Sequence, residues 1–150
     1  MTRFVPLILF LVLVVGGGWL IGANTAPGEW YDSLEKPAFN PPGWLFAPVW
    51  TVLYILIAVA GWRTWMRKDT GGAMTIWWAQ LGLNFLWSPL FFALQMPVAA
   101  LIVIIALLLT IIMFIRTTWH PDRVSAFLFV PYLAWVAFAS LLNASIVVLN

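Results

Sequence analysis

Five long apolar stretches, separated by short polar segments, dominate the chain. They run over residues Phe4–Asn24, Trp44–Trp65, Ala73–Phe92, Pro97–Thr118 and Val124–Leu149. A membrane-spanning helix needs roughly 20 predominantly apolar residues, because each residue advances about 1.5 Å through a hydrocarbon layer about 30 Å thick. The pattern therefore predicts an all-α polytopic membrane protein, with residues 1–150 forming a single domain that is a bundle of five transmembrane helices.

The first apolar stretch also has features of a secretory signal peptide. Arg3 precedes the stretch, and a cluster of small residues lies within it at Gly16–Gly18. Its length and the lack of a good A-x-A-like cleavage site in “IGANTA” favour a membrane span. Gly18 and Gly22 form a G-x-x-x-G pair within it, a spacing that permits close packing between helices.

Basic residues flank the predicted spans unequally. One end of the predicted bundle has six of them: Arg3, Arg63, Arg67, Lys68, Arg116 and Arg123. The other end has only Lys36. Because cytoplasmic loops are enriched in lysine and arginine, we expect a cytoplasmic N-terminus, with the first loop and the C-terminus on the opposite side of the membrane.

Composition supports a bilayer location and excludes most catalytic chemistry. The chain is 64% hydrophobic and 8% charged, which leaves too few polar side chains to coat a soluble globule. All five carboxylates lie in predicted connections, cysteine is absent, and the single histidine, His120, has no second ligand nearby. We therefore expect no cofactor, no metal site and no nucleic-acid partner, and we find no acid, base or nucleophile arrangement for ordinary catalysis.

Tryptophan is abundant, and three tryptophans lie well inside predicted spans. Most of the eleven tryptophans fall near span ends, where the membrane interface accounts for them. Trp50, Trp87 and Trp135 are deeper, where an indole N–H is costly unless it meets a partner or faces a polar cavity.

Helical spacing gives each of these tryptophans polar or aromatic companions. Three helical faces are predicted in this way. The first consists of Trp50 and Tyr54; the second, on the span that contains Trp87, consists of Gln80, Asn84 and Ser88; the third consists of Pro131, Trp135, Ala139 and Asn143. Spacing alone supports two interpretations equally: side chains that satisfy one another between closed helices, or the wall of a ligand pocket. Pro89 and Pro131 favour the pocket slightly, because a proline within a helix removes a backbone hydrogen bond and bends the helix.

Three stretches of the chain closely resemble the TspO/MBR family of tryptophan-rich sensory proteins. They are “WYDSLEKPAFNPPGWLFAPVWTVLY”, “QLGLNFLWSPLFF” and “PYLAWVAFASLLN”, in the family's order. The family's mitochondrial relatives are called translocator protein or peripheral benzodiazepine receptor. The resemblance implies a five-helix protein of the bacterial cell membrane, commonly a homodimer, whose pocket opens toward the first loop and accepts porphyrins, haem-like tetrapyrroles and benzodiazepine-site ligands.

The resemblance also implies which residues line that pocket. They are Trp50, Tyr54, Asn84, Trp87, Phe91, Trp135 and Ala139. The loop Trp30–Trp44 would act as a lid, because its prolines stiffen it and its aromatic rings can cover an apolar ligand. The alternative is that these rings simply rest among lipid headgroups.

The leading interpretation is a membrane receptor or sensor for porphyrin-type tetrapyrroles such as protoporphyrin IX or haem-like compounds. Two alternatives stay open: a light-dependent porphyrin-degrading protein, for which Trp50 and Trp135 are the implicated pair, and a transporter of porphyrins or other amphiphiles. The C-terminal “LLNASIVVLN” lacks the aromatic and basic residues of the sterol-associated pattern found in animal relatives, so we do not expect sterol binding.

Overall fold

The computed structural model describes residues 2–25, 28–67 and 72–150, and within these ranges the ordered elements are all helical. The first part of the chain contains three helices: α1 (Phe4–Asn24), the short α2 (Glu29–Ser33) and α3 (Phe46–Arg67). Helix α1 includes a π-helical turn at Val12–Gly16, and a 3-10 turn at Gly43–Leu45 precedes α3. The second part holds α4 (Ala73–Ser88), continued by a π-helical turn at Pro89–Ala93, then α5 (Pro97–Thr118), α6 (Arg123–Leu128) and α7 (Val130–Leu149). The predicted all-α class is confirmed.

Four helical segments in the described ranges are long and apolar enough to cross a membrane. They are Phe4–Asn24, Gly43–Arg67, Pro97–Thr118 and Arg123–Leu149. Each coincides with a stretch predicted from hydropathy. The third predicted span, Ala73–Phe92, is helical as expected but holds Gln80, Asn84 and Ser88, and it is not among the four. That α4 crosses the membrane therefore stays a prediction.

The two internal prolines act differently from each other. At Pro89 the α-helical pattern of α4 changes to a π-helical turn, consistent with the predicted distortion. Pro131 instead lies in the first turn of α7, because the chain is interrupted at Phe129, whose N–H donates to the carbonyl of Ala126 at 3.2 Å. Within the helical segment Arg123–Leu149 the regular hydrogen bonding is thus interrupted at one residue, and Pro131 occupies a position where a missing N–H costs little. The expected bend at Pro131 stays a prediction.

The long helices pack side by side in a ring in the order α1, α3, α7, α5 and α4, with α6 against α3. Trp77 of α4 is fully buried in the ring, and its Nε1 donates to the carbonyl oxygen of Ile57 at 3.0 Å. Phe10 of α1 meets the same indole edge-on at 5.1 Å between ring centroids. A Cβ at Gly61 would overlap the Trp77 ring, so glycine at this position allows α3 and α4 to approach.

One end of the ring is held by a charged cluster. Arg63 donates from Nη2 to Asp122 Oδ1 at 2.9 Å and from Nε to Asp122 Oδ2 at 3.3 Å, and Ser125 donates to the same carboxylate. Burial by itself raises the pKa of Asp122, but the hydrogen bonds from Arg63 and Ser125 and the arginine charge outweigh it and hold that pKa below its usual range. Trp62 Nε1 bonds to the carbonyl of Arg3 at 2.8 Å, which brings Arg3 to this end too.

Asp122→Asn is expected to lower the free energy of unfolding by about 1–2 kcal/mol at neutral pH, because Arg63 and Ser125 lose a charged partner while Arg63 is itself partly exposed. The native pKa of Asp122 is lowered from 3.8, so the difference from the wild type should be complete above pH 3.8 and disappear as the pH falls through the native value. Unfolding in detergent at several pH values measures this. Asp32→Asn, an exposed acid in α2, is the matched control, and equal losses for both variants would contradict the assignment.

Candidate functional site

A cavity of about 770 Å³ lies between α1, α3 and α4. Its wall, in the described part of the chain, consists of Gly18, Trp19, Ile21, Gly22, Ala23, Thr25, Gly43, Phe46, Ala47, Pro48, Trp50, Thr51, Tyr54, Asn84, Phe85, Trp87, Ser88 and Phe92. Four of the seven residues suggested by the family resemblance are in this wall: Trp50, Tyr54, Asn84 and Trp87.

Aromatic rings form one side of the cavity. Trp50 and Tyr54 lie one turn apart on α3 and stack with their centroids 5.5 Å apart, and Phe85 of α4 meets Tyr54 edge-on at 6.4 Å. The first helix comes close because Gly18 has no side chain: a Cβ there would overlap the Tyr54 ring. The close packing expected of the G-x-x-x-G pair therefore occurs at Gly18, whereas a Cβ at Gly22 would meet nothing within 4 Å.

Asn84 is held by a chain of hydrogen bonds that leads from the cavity into the helix bundle. Asn84 Nδ2 donates to the hydroxyl oxygen of Tyr132 at 2.7 Å, and Tyr132 donates to Gln80 Oε1 at 2.8 Å. Gln80 and Tyr132 are fully buried, and Gln80 Nε2 has no partner within the described residues. Because the tyrosine proton goes to Gln80, the tyrosine oxygen accepts from Asn84 and fixes the orientation of that amide.

Three polar side-chain atoms of the cavity wall have no hydrogen bond to any described residue: Trp50 Nε1, Tyr54 Oη and Asn84 Oδ1. The Trp87 indole is different, because its Nε1 donates to Asn143 Oδ1 at 3.0 Å. Trp87 thus offers a ligand its ring face, while the other three residues can also form hydrogen bonds.

The remaining three predicted site residues are not part of the described cavity wall. Phe91 stacks on Trp87 with centroids 5.4 Å apart. Trp135 meets Trp50 edge-on at 6.3 Å, and its Nε1 is buried without a partner among the described residues. Ala139 is buried in the same core as Trp135. Phe91 and Trp135 thus contact residues of the wall, and direct contact between any of the three residues and a ligand stays a prediction.

The first loop packs on the end of the bundle opposite the charged cluster. Tyr31 of α2 meets Phe92, a wall residue, at 5.4 Å between centroids, and Trp30 meets Phe91 at 5.7 Å. Of the residues in the loop Trp30–Trp44, the described cavity wall includes only Gly43. The rings therefore contact protein, and their closure over a ligand stays a prediction.

Hydrogen bonds give this loop a defined shape. Lys36 Nζ donates to the carbonyl of Tyr31 at 2.9 Å, and Asn150 exchanges two hydrogen bonds with the backbone of Glu35, at 3.1 and 3.0 Å. Burial raises the pKa of Tyr31, and the hydrogen bond to Asn40 offsets this only partly. The loop is thus tied both to itself and to the end of α7.

The sequence patterns did not identify the cavity residues contributed by α1. Trp19 lines the cavity and donates from Nε1 to Thr51 Oγ1 at 2.9 Å. Thr25 donates to the carbonyl of Ile21 and accepts from Ser88 Oγ at 2.6 Å, which joins α1 to α4. The available signal was an indole next to a close-packing glycine in an otherwise aliphatic span.

The cavity is equipped for stacking and hydrogen bonding. Its described wall contains no charged residue. Among the residues that the structure describes, no three His, Cys, Asp or Glu side chains lie close enough together to hold a metal ion. Its surface suits an apolar ligand with a few polar atoms.

Comparisons with known proteins agree with this architecture. Residues 9–149 match the model of the TspO/MBR family. The chain is 43% identical over 145 residues to the tryptophan-rich protein TspO of Archaeoglobus fulgidus, which covers 95% of this chain and 94% of the relative. It is 37% identical to the tryptophan-rich sensory protein of Cereibacter sphaeroides over 96% of this chain and 91% of the relative. It is also 39% identical to the translocator protein of Bos taurus over 93% of this chain and 87% of the relative. The chain therefore belongs to the TspO/MBR family of membrane proteins.

Proposed function

We propose that the cavity between α1, α3 and α4 binds porphyrin-type tetrapyrroles, and that the protein is a membrane receptor or sensor for them and for benzodiazepine-site ligands. The observation that carries the proposal is the cavity itself: about 770 Å³ beside the Trp50, Tyr54 and Trp87 rings. Small-molecule pockets are commonly about 300–1,000 Å³, mostly apolar, with a few well-placed polar groups.

The polar atoms left unpaired in the wall fit the centre and edges of a tetrapyrrole. Asn84 Oδ1 can accept from a pyrrole N–H, and Trp50 Nε1 can donate to a ring nitrogen. The aromatic walls provide stacking surface for the flat ring system. Because the described wall has no charged residue, the ligand's propionates would have to point out of the cavity toward solvent.

Porphyrin titration of the detergent-solubilised chain should show saturable quenching of tryptophan fluorescence and a shift of the porphyrin absorption band. Trp50→Phe is expected to weaken binding about tenfold, because it removes an indole donor and part of the stacking surface. Trp135→Phe should have a smaller effect, because Trp135 acts through its contact with Trp50. The measured quantity is the dissociation constant from the absorption shift, which does not depend on how many tryptophans remain.

Trp65→Phe is the matched control, since Trp65 is exposed on the same helix and outside the described cavity wall. Equal affinities for the Trp50 and Trp65 variants, or quenching no greater than that of free indole, would rule out this cavity as the binding site.

The second candidate function, light-dependent porphyrin degradation, is favoured by the edge-on contact of Trp50 with Trp135 at 6.3 Å. Illuminated and dark samples under oxygen separate it from simple binding when a protein-free porphyrin solution and the Trp50→Phe, Trp135→Phe double variant are included, because porphyrins also bleach in light and oxygen without protein. Loss of the absorption band must exceed that of both controls.

A further inference from the structure

A second concave surface lies at the end of α5, away from the aromatic cavity. It is a pocket of about 310 Å³ lined by Ile115, Arg116, Trp119 and His120, none of which belongs to the described cavity wall. Asp122 lies two residues after His120 and donates its N–H to the carbonyl of Thr118. The pocket is therefore at the same end of the bundle as the Arg63–Asp122 ion pair, where the chain would leave the membrane.

The basic side chains of this pocket have no polar partner among the residues that the structure describes. Arg116 and His120 are exposed, and neither side chain forms a hydrogen bond or ion pair with any described residue. The acid nearest in sequence, Asp122, is already bonded to Arg63 and Ser125. Positive charge at this position is therefore available to an anion from outside the described part of the protein.

The aromatic side of the pocket is held in place from two directions. The guanidinium carbon of Arg123 lies 4.9 Å from the centre of the Trp119 ring, and Arg123 Nε donates to the carbonyl of Trp119 at 3.1 Å. Phe127 meets the same indole edge-on at 5.4 Å. The terminal nitrogens of Arg123 have no hydrogen bond to any described residue, and its guanidinium adds a second cation beside the pocket.

An apolar stripe leads from the middle of α5 to this basic end. Ile105, Leu109 and Ile112 are all exposed and follow one another at intervals of four and three residues, and Arg116 continues the same face four residues later. In a membrane such a stripe faces lipid acyl chains. The surface is thus apolar along its length and cationic at its end, which is the pattern complementary to an anionic amphiphile.

We propose that this surface binds one anionic phospholipid, with the phosphodiester in the pocket between Arg116, Trp119 and His120 and an acyl chain along the Ile105–Ile112 stripe. A guanidinium presents forked donors that match phosphate oxygens, and indoles are favoured at the level of lipid headgroups. Basic pockets at the membrane boundary recognise anionic headgroups by the same chemistry.

Native mass spectrometry of the full chain released from mixed micelles tests the proposal. With equal mole fractions of dioleoyl phosphatidylglycerol and dioleoyl phosphatidylcholine, one phosphatidylglycerol should be retained in preference to phosphatidylcholine. Arg116→Gln should reduce that preference about fivefold, the amount expected for loss of one basic contact at a membrane surface. His120→Gln should reduce it further in the double variant.

Arg3→Gln is the matched control, because Arg3 lies at the same end of the bundle but outside the pocket. Retention of phosphatidylglycerol no better than of phosphatidylcholine would overturn the proposal. So would equal losses for the Arg116 and Arg3 variants, which would indicate a diffuse charge effect. Displacement of the lipid by millimolar inorganic phosphate or by glycerophosphoglycerol, which lacks acyl chains, would assign the pocket to a soluble anion and would also overturn it.

Discussion

Gly18→Ala is expected to weaken porphyrin binding by about tenfold or more and to lower the free energy of unfolding by about 1–3 kcal/mol. The added methyl group would overlap the Tyr54 ring, so either α1 and α3 must separate or the tyrosine must turn. Tyr54 is stacked on Trp50 and faces Phe85, which leaves the cavity as the open direction for the ring to move. Either response removes the surface on which a flat ligand would stack.

Gly22→Ala gives this prediction a close control. Gly22 is one turn away on the same helix and also lines the cavity, but a Cβ there would meet nothing within 4 Å. The two variants have the same chemistry and differ in the space available to the methyl group. Dissociation constants and unfolding curves should therefore differ strongly for Gly18→Ala and little for Gly22→Ala. Matching behaviour in the two variants would show that the contact between Gly18 and Tyr54 does not shape the cavity.

The helices were predictable from the sequence because burial in a bilayer imposes a simple length and polarity requirement. Hydropathy located the segments corresponding to α1, α3 and α5 to within a few residues. It did not reveal the interruption at Phe129, because “VSAFLFVPYLAW” is almost entirely apolar and hydropathy does not indicate where backbone hydrogen bonding is interrupted. Pro131 indicated an irregularity near this position, but a proline is compatible both with a bend inside a helix and with the start of a new helix.

The sequence indicated which residues of the candidate site share a helical face, but not how the faces of different helices pack together. Spacing placed Trp50 beside Tyr54, and the two rings do stack; Asn84, which the resemblance groups with them, lines the same cavity, and that the three residues bind a ligand stays a prediction. Whether Trp135 lines a void or backs another ring depends on the rotation of α7 about its axis, which helical periodicity does not fix. Features of both interpretations are present: Tyr132 donates to Gln80 Oε1 between packed helices, and Asn84, which donates to Tyr132, also lines the cavity. That the cavity takes a ligand stays a prediction.

Tyr132→Phe is expected to lower the free energy of unfolding by about 2–5 kcal/mol, although the tyrosine has no contact with solvent. Removing the hydroxyl leaves Oε1 of the fully buried Gln80 and Nδ2 of Asn84 without their partner, and each unsatisfied buried group costs about 1–3 kcal/mol. Asn84 is then free to rotate its amide, so porphyrin affinity should also fall. Chemical unfolding and the absorption titration measure the two effects separately.

The double variant Gln80→Leu with Tyr132→Phe separates hydrogen bonding from packing. Gln80 Nε2 already lacks a partner among the described residues, so leucine at that position removes two unsatisfied groups from the single Tyr132 variant. The double variant should therefore be more stable than Tyr132→Phe alone, because replacing both partners by apolar groups of similar shape costs little. Its porphyrin affinity should stay low, since Asn84 is still without the hydroxyl that holds it. Recovery of stability together with affinity would mean that the hydrogen-bonded chain supports the fold and not the orientation of Asn84 in the cavity.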